Sequence, residues 1–246
     1  MKPLDPEQRE AERPPQLTEA KRRLPGPPYY NVLRWIHEIL RPANYVEIGV
    51  QEGLSLSQAL DGTPCIGVDP KPIIPRALPA TRIYELTSDE FFAQYDLSDL
   101  LAGQMELAFI DGLHLFEQVL RDFVHLESHS GPGAVILLHD CLPFDEATSS
   151  RERTTDFYSG DVWKAALALR RTRPELEMTT VRTAPTGLCM VSGLDATSRR
   201  LEQELPEIVA THRDLDFGYY SAHREEMPPD IPSEEDAVRD WLGRRT

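Results

Sequence analysis

Four residues of this chain combine proton-transfer and metal-ligating chemistry in two short runs: Asp111 and His114 in Asp111-Gly-Leu-His114, and the adjacent pair His139-Asp140. Each run closes an apolar stretch, Leu107-Ala-Phe-Ile110 and Ala134-Val-Ile-Leu-Leu138, of the kind that strands buried on both faces require. Two acids and two imidazoles at neighbouring strand ends suit a divalent metal, a proton-transfer site, or both. Carboxylates favour Mg²⁺ or Mn²⁺, which prefer oxygen ligands. A histidine, with an ordinary pKa of about 6.5, can take a proton from a hydroxyl near neutral pH. Asp111, His139 and Asp140 are therefore the candidate metal ligands, and His114, Asp111 and His139 the candidate catalytic residues.

A second group precedes it. Tyr45-Val-Glu-Ile-Gly-Val-Gln-Glu-Gly-Leu-Ser55 leads through a glycine turn to Cys65-Ile-Gly-Val-Asp69. A dinucleotide turn needs G-x-G-x-x-G so that backbone can close on a pyrophosphate. Here the spacing is Glu47-x-Gly49-x-x-x-Gly53, and a carboxylate stands in place of the first glycine. That carboxylate repels a diphosphate and suits a ligand with positive charge. Asp69 lies 20 residues after Gly49 at the end of the next strand, where an acid accepts ribose hydroxyls. An adenosine with a cationic tail meets both requirements.

The elements that must position these groups alternate along the chain. A helix is predicted over 30–40, and strands over 45–50, 65–69, 82–86, 107–111 and 134–139, with helices over 54–60, 90–95 and 114–127 between them. The pattern predicts an α/β, doubly wound, Rossmann-like fold: a mostly parallel sheet with helices on both faces, and ligands outside the carboxyl ends of the strands. A polar stretch over 141–160 reads as a lid, followed by a helix over 161–171 and strands over 176–182 and 188–192 joined at Pro185-Thr-Gly187. Trp163 reads as a packing residue and Lys164 as a solvated charge, and His125 and His129 as surface residues. Residues 1–28 hold seven prolines and read as an extended arm with a short helix over 17–24; 29–200 read as the catalytic domain, and 201–246 as an acidic extension.

Composition excludes several classes. A net charge of -15 disfavours a basic face that grips phosphate backbones, so no nucleic-acid partner is expected. Residues 202–240 carry twelve acids against three arginines, which reads as a solvated surface. Cys65, Cys141 and Cys189 are widely spaced and fit neither a zinc pattern nor a disulfide framework; they read as buried free thiols. No apolar run approaches the roughly 20 residues of a membrane span and the first residues lack an apolar signal segment. A cytoplasmic protein with a small-molecule partner and no membrane partner is the expectation, with a homo-oligomer left open.

The first region resembles the opening motifs of the class I S-adenosylmethionine-dependent methyltransferases. Their cofactor has a ribose, a sulfonium and an ammonium but no phosphate. The resemblance implies cofactor contacts from Glu47, Gly49, Val50, Gln51, Gly53, Ser55, Asp69, Ser88, Asp89 and Asp111. The second region, with Ile110-Asp-Gly-Leu-His-Leu-Phe-Glu117, Gly133-Ala-Val-Ile-Leu-Leu-His-Asp140 and Gly160-Asp-Val-Trp-Lys164, resembles the metal-dependent macrolide-sugar and aminocoumarin-sugar O-methyltransferases and the cephalosporin hydroxylase group. That likeness implies an antiparallel last strand, Mg²⁺ held by Asp111 and the 139–140 pair, and His114 as general base. The chain departs from those members at His139, where they carry a second acid. Ser88-Asp89 also reads as a routine helix cap. Three other classes stand beside the methyltransferase reading: a nicotinamide-dependent oxidoreductase, which the absent G-x-G-x-x-G opposes; a non-catalytic binding protein on the same scaffold; and a metal-dependent oxygenase using His114, His139 and Asp140.

Overall fold

A computed structural model describes residues 15–75 and 77–244; the first half of the proline-rich arm, residues 1–14, lies outside the described residues. Helices α1 (Pro15–Arg23) and α2 (Tyr29–Leu40) lead into strand β1 (Tyr45–Ile48). There follow β2 (Cys65–Val68), β3 (Thr81–Tyr84), α3 (Ser88–Gln94), α4 (Leu97–Leu100), β4 (Met105–Ile110), α5 (Phe116–Glu127), β5 (Ser130–His139) and α6 (Trp163–Thr172). The chain closes with β6 (Glu177–Arg182), β7 (Leu188–Ser192), α7 (Arg200–His212), α8 (Phe217–Ala222), β8 (Asp230–Pro232) and α9 (Glu235–Gly243).

The eight strands form one sheet in the order β3-β2-β1-β4-β5-β7-β6-β8. The run from β3 to β5 is parallel, and β7 lies antiparallel between β5 and β6, as the resemblance implies. Alternation along each strand divides two cores. Val46, Ile48, Ala108, Ile110, Ile136 and Leu138 face α3, α5, α6 and α7, while Tyr45, Leu107, Phe109, Val135 and Leu137 face α2 and α9. Both strands that end in the chemical residues are thus buried on both faces, which holds their carboxyl ends in fixed register.

Two parts of the sequence reading change. The helix expected over 54–60 is only a single 3-10 turn, Leu56–Gln58, because Gly53 bends the entry with φ +74° and Gly62 with Pro64 follow almost at once. The glycine turn is therefore not the N-terminus of a long helix. The acidic stretch after residue 200 is woven into the domain: β8 adds a parallel strand beside β6, and α9 packs Val238 and Leu242 into the core shared with α2. Its acids lie on the outer faces of amphipathic helices, so a strongly negative composition coexists with an apolar inner stripe. Phe217 and Tyr220 fold back in the same way, with Tyr220 edge-on to Trp163 at 5.3 Å.

Candidate active site

A hollow of about 870 Å³ lies outside the carboxyl ends of β1, β2, β4 and β5. That is near the upper end of the roughly 300–1,000 Å³ of small-molecule sites, enough for a cofactor with an acceptor beside it. Gly49, Val50, Gln51, Ser55, Asp69, Ser88, Asp89, Asp111, His114, His139 and Asp140 all line it. The topology brings together two groups that are separated in sequence by up to about ninety residues.

At the glycine turn, the chain leaves β1 through Gly49 at φ +87°. A Cβ at Gly49 would stand 2.1 Å from the carbonyl oxygen of Asp111, so only glycine lets β1 and β4 end side by side. Gln51 follows in the left-handed region at φ 47°. The Asp69 carboxylate fixes this bend: Oδ2 accepts from the amides of Val50 (2.9 Å) and Gln51 (2.8 Å), and Oδ1 from that of Lys71 (2.7 Å). Asp69 thus shapes the turn as well as facing the cavity.

Glu47 takes a different place from the one its motif position suggests. It is the third residue of β1, fully buried and pointing toward the α2 side, and it does not line the cavity. Its Oε2 accepts from the Tyr45 hydroxyl and its Oε1 from the Ser55 hydroxyl, both at 2.6 Å. Burial pushes its pKa up to about 8, against the opposing pull of the Ser55 and Tyr45 hydroxyls. The residue therefore meets the cavity only through Ser55. Gly53 is also outside the lining; its role is conformational.

Ser88 and Asp89 do reach the cavity, but the helix cap belongs to Thr87, whose hydroxyl accepts from the Glu90 amide while Glu90 reaches back. Gln118 donates to Ser88 Oγ (3.0 Å), Asp89 Oδ1 (2.9 Å) and Asp122 Oδ1 (3.0 Å). Sequence reasoning passed over Gln118, whose signal is its place one turn into α5 above the Ser88-Asp89 pair.

The chemical half is a compact charge cluster. His114 Nδ1 lies 2.6 Å from Asp140 Oδ2, and its Nε2 lies 3.7 Å from Asp111 Oδ1. His139 Nδ1 lies 3.1 Å from Asp111 Oδ1 and 3.4 Å from Asp140 Oδ1. Asp140 Oδ1 also accepts from the Thr186 hydroxyl. About a quarter of the His114 side chain remains open to the cavity (26%), whereas His139 and Asp140 are enclosed. Burial opposes the charged form of both imidazoles. The carboxylates outweigh it: Asp140, then Asp111, raises the His114 pKa, and Asp111 and Asp140 together raise that of His139. The same pairs hold Asp140 well below the usual carboxylate range despite its burial.

His114 and Asp140 both sit in the left-handed region at φ 60°, unusual for residues with a side chain. His114 does not belong to the first turn of α5, which starts at Phe116 after an extended Leu115. Its backbone is clamped from outside. A Cβ at Gly160 would stand 2.0 Å from the His114 carbonyl oxygen, and the Asp161 amide donates to that same oxygen at 3.2 Å. Asp161 Oδ1 accepts from the Phe116 amide, and Oδ2 accepts from Arg151 (2.7 Å) and Lys164 (3.0 Å). Lys164 is therefore a buried, paired cation rather than a solvated one. Arg151 also grips Glu117, so the segment over 141–160 is tied to α5 by ion pairs. Arg153, Asp156, Phe157 and Tyr158 of that segment roof the cavity, and the Tyr158 ring stacks on His114 at 5.8 Å. On the other wall the Tyr29 ring lies 4.3 Å from that of His139.

One donor atom each from Asp111, His139 and Asp140 lies within 4.8 Å of the others, a separation that a divalent cation can bridge. The buried His139 Nε2 has no hydrogen-bond partner. Two carboxylates and one imidazole fit such an ion. His114 is turned toward Asp140, 2.6 Å away, and stands beside this group of three. His125 stacks on Phe92 at 4.4 Å and His129 pairs with Asp96 at 3.0 Å, both away from the cavity.

Residues 46–141 match the model of a methyltransferase domain family. No curated protein matches the chain. Among solved structures, an O-methyltransferase from Bacillus cereus in complex with S-adenosylhomocysteine (SAH) superposes with a TM-score of 0.51 at 18% identity, over 73% of this chain and 90% of that one. The O-methyltransferase TomG from Streptomyces achromogenes, involved in tomaymycin synthesis and bound to S-adenosylmethionine, gives 0.51 at 14% identity over 73% and 90%. An SAH-bound methyltransferase from Podospora anserina gives 0.50 at 13% identity over 79% and 99%. At these identities the likeness is one of fold: a mostly parallel sheet with an antiparallel strand pair, in the Rossmann-like methyltransferase arrangement. No helix among the described residues is long and apolar enough to cross a membrane.

Proposed function

We propose that this chain, which carries a class I methyltransferase domain over residues 46–141, transfers a methyl group from S-adenosylmethionine to a hydroxyl of a small polar molecule, of the size of a sugar or a secondary metabolite. The observation that supports the reading most directly is the His114–Asp140 pair, 2.6 Å apart, facing the same cavity as the Gly49 turn and Asp69. Asp69, facing the cavity at the end of β2, suits the ribose of an adenosine, and Ser55, held by Glu47, suits the amino-acid end of the cofactor. Val50, Gln51, Ser88, Asp89 and Asp111 complete that half of the cavity.

The Asp140 carboxylate holds His114 by charge, its Oδ2 lying 2.6 Å from Nδ1 outside hydrogen-bond geometry, while Nε2, 3.7 Å from Asp111 Oδ1, is the nitrogen we assign to the acceptor. His114 Nε2 takes the hydroxyl proton, the resulting oxygen forms a bond to the methyl carbon, and the carbon–sulfur bond breaks to release SAH. A carboxylate beside the imidazole also stabilises the imidazolium that forms. Positioning supplies most of the acceleration, because the reacting centres are held together rather than meeting by diffusion. Asp111, His139 and Asp140 would hold a divalent ion such as Mg²⁺ or Mn²⁺, which when bound supplies positive charge for the acceptor oxygen. The lid residues Tyr158 and Phe157 exclude water over the same point.

Calorimetric titration with SAH, with and without Mg²⁺, tests the cofactor reading; no binding under either condition refutes it. Screening hydroxylated small molecules for a gain of one methyl by mass spectrometry tests the reaction. His114→Ala is expected to lower turnover by about 10²–10⁴-fold with SAH affinity unchanged, and unchanged turnover removes His114 from the base role.

A further inference from the structure

A second, smaller hollow of about 190 Å³ lies on the far side of Pro185, a residue that lines both cavities. Arg23 from α1, Arg182 from the end of β6 and Arg224 after α8 converge on it from parts of the chain up to about 200 residues apart, and no acid is among its lining residues. The large cavity, by contrast, is lined by six acids, Glu52, Asp69, Asp89, Asp111, Asp140 and Asp156, against two arginines, Arg151 and Arg153. In a chain of net charge -15, three guanidinium groups around one small hollow are a local reversal of sign.

The neighbouring carboxylates do not neutralise it. Asp230 Oδ2 serves both Arg182 and Arg224, each at 3.0 Å. Glu19 serves both Arg22 (2.6 Å) and Arg23 (3.0 Å). Four guanidinium groups thus share two carboxylates. Arg224 Nη1 donates to the Tyr220 hydroxyl, and Arg23 Nη1 donates to the carbonyl of Phe144 at 3.0 Å while its guanidinium lies over the Phe144 ring at 4.1 Å. These contacts hold the arginines in place and leave further N–H donors of Arg182 and Arg23 unused by any carboxylate. Leu24, Leu142 and Pro143 give the hollow an apolar floor that thins the screening water. Guanidinium is the side chain whose flat fork matches phosphate and carboxylate oxygens.

We propose that this hollow is a second binding site, for a small anion of the phosphate or carboxylate class. The anion completes the charge that Glu19 and Asp230 leave unbalanced. Its volume suits a phosphate or carboxylate group with a few attached carbons. The group arrives either as a free anion or as the distal end of a molecule that reaches over Pro185 from the large cavity. The site stands independently of the methyltransferase reading, because none of its arginines belongs to that cavity.

Inorganic phosphate, titrated into the full chain at constant ionic strength and followed by calorimetry, tests it. Saturable binding at one site per chain is expected, retained in the presence of saturating SAH. Arg23→Gln and Arg182→Gln, half-exposed positions on separate elements, should each weaken binding by at least tenfold, while Arg170→Gln, an exposed arginine away from the hollow, leaves it unchanged. A phosphorylated sugar that binds at least tenfold more tightly than phosphate, and does so through the same arginines, identifies the group as part of a larger molecule; equal affinity identifies a free anion. Absence of saturation up to tens of millimolar overturns the proposal. So do Arg23→Gln and Arg182→Gln affinities within twofold of the wild type, and so does loss of binding in Arg153→Gln, which would place the anion in the large cavity.

Discussion

Glu47→Gln separates a buried acid that shapes the cofactor turn from one that acts on the ligand by its charge. The ordinary carboxyl value is 4.5, and burial in β1 pushes it up to about 8 in the folded chain. A raised acid is protonated in the folded state and ionised in the unfolded state between these two values. Its contribution to stability is therefore full below pH about 4.5 and is lost as pH rises toward about 8. Each pH unit within the window is worth up to about 1.4 kcal/mol, and the titration curve gives a loss of about 2 kcal/mol between pH 6 and pH 8. That is a sizeable share of the roughly 5–15 kcal/mol of a typical domain.

Glutamine keeps the shape and the two hydroxyl contacts but cannot ionise, so the variant lacks this loss. Urea unfolding followed by tryptophan fluorescence at pH 6, 7 and 8 should show the stability difference, variant minus wild type, rising by about 2 kcal/mol across the range. Using the difference cancels Asp122, which burial pushes up to about 6 and which titrates in both proteins. Parallel curves, with the difference constant to within about 0.5 kcal/mol, would refute the claim that Glu47 is neutral in the folded chain near pH 7. SAH affinity at pH 6 is the second readout. It should stay within threefold, since Glu47 reaches the cavity only through Ser55; a loss beyond tenfold would assign the carboxylate a direct role.

Gly49→Ala places a methyl group 2.1 Å from the Asp111 carbonyl at a φ of +87°. The left-handed conformation alone costs about 1–2 kcal/mol, and the overlap forces β1 and β4 apart, so both thermal stability and SAH binding in calorimetry should fall together. Gly160→Ala collides with the His114 carbonyl at 2.0 Å, outside the cofactor half; turnover should drop about 100-fold through misplacement of the imidazole while SAH affinity stays within threefold. Glu127→Gln breaks a bidentate pair inside the core, in which Arg173 Nη1 and Nη2 donate to Glu127 Oε2 and Oε1 at 2.8 and 2.9 Å. The buried guanidinium keeps only the half-exposed Glu175 as counter-charge, so the fold should lose about 3 kcal/mol in urea unfolding, with no change in the SAH affinity of the protein that remains folded.

The alternation of apolar strands with amphipathic helices was enough to specify a doubly wound sheet, because burial on two faces imposes continuous hydrophobic runs that no other arrangement needs. The glycine turn, Asp69 and the two strand-end groups were legible for the same reason: in such a sheet the carboxyl ends are where polar residues must face a cavity. Local sequence did not reveal which way those side chains point. Glu47 sits in the motif position of a ligand contact, yet strand parity turns it to the α2 side, and only the depth of that core raises its pKa. Lys164 reads as a surface charge until Asp161 and the Arg213 carbonyl are brought to it by the folding of α6 against α5 and α7. The His114–Asp140 pair, the Gly160 clamp and the three-arginine hollow all join residues tens to hundreds of positions apart. Periodicity and propensity act over a few residues, so the sequence by itself determined the elements and the strand ends where chemistry collects. Contacts closed across the sheet, whose energy exists only after the chain has folded, decided which of those residues meet, which are neutral, and which merely hold the others in place.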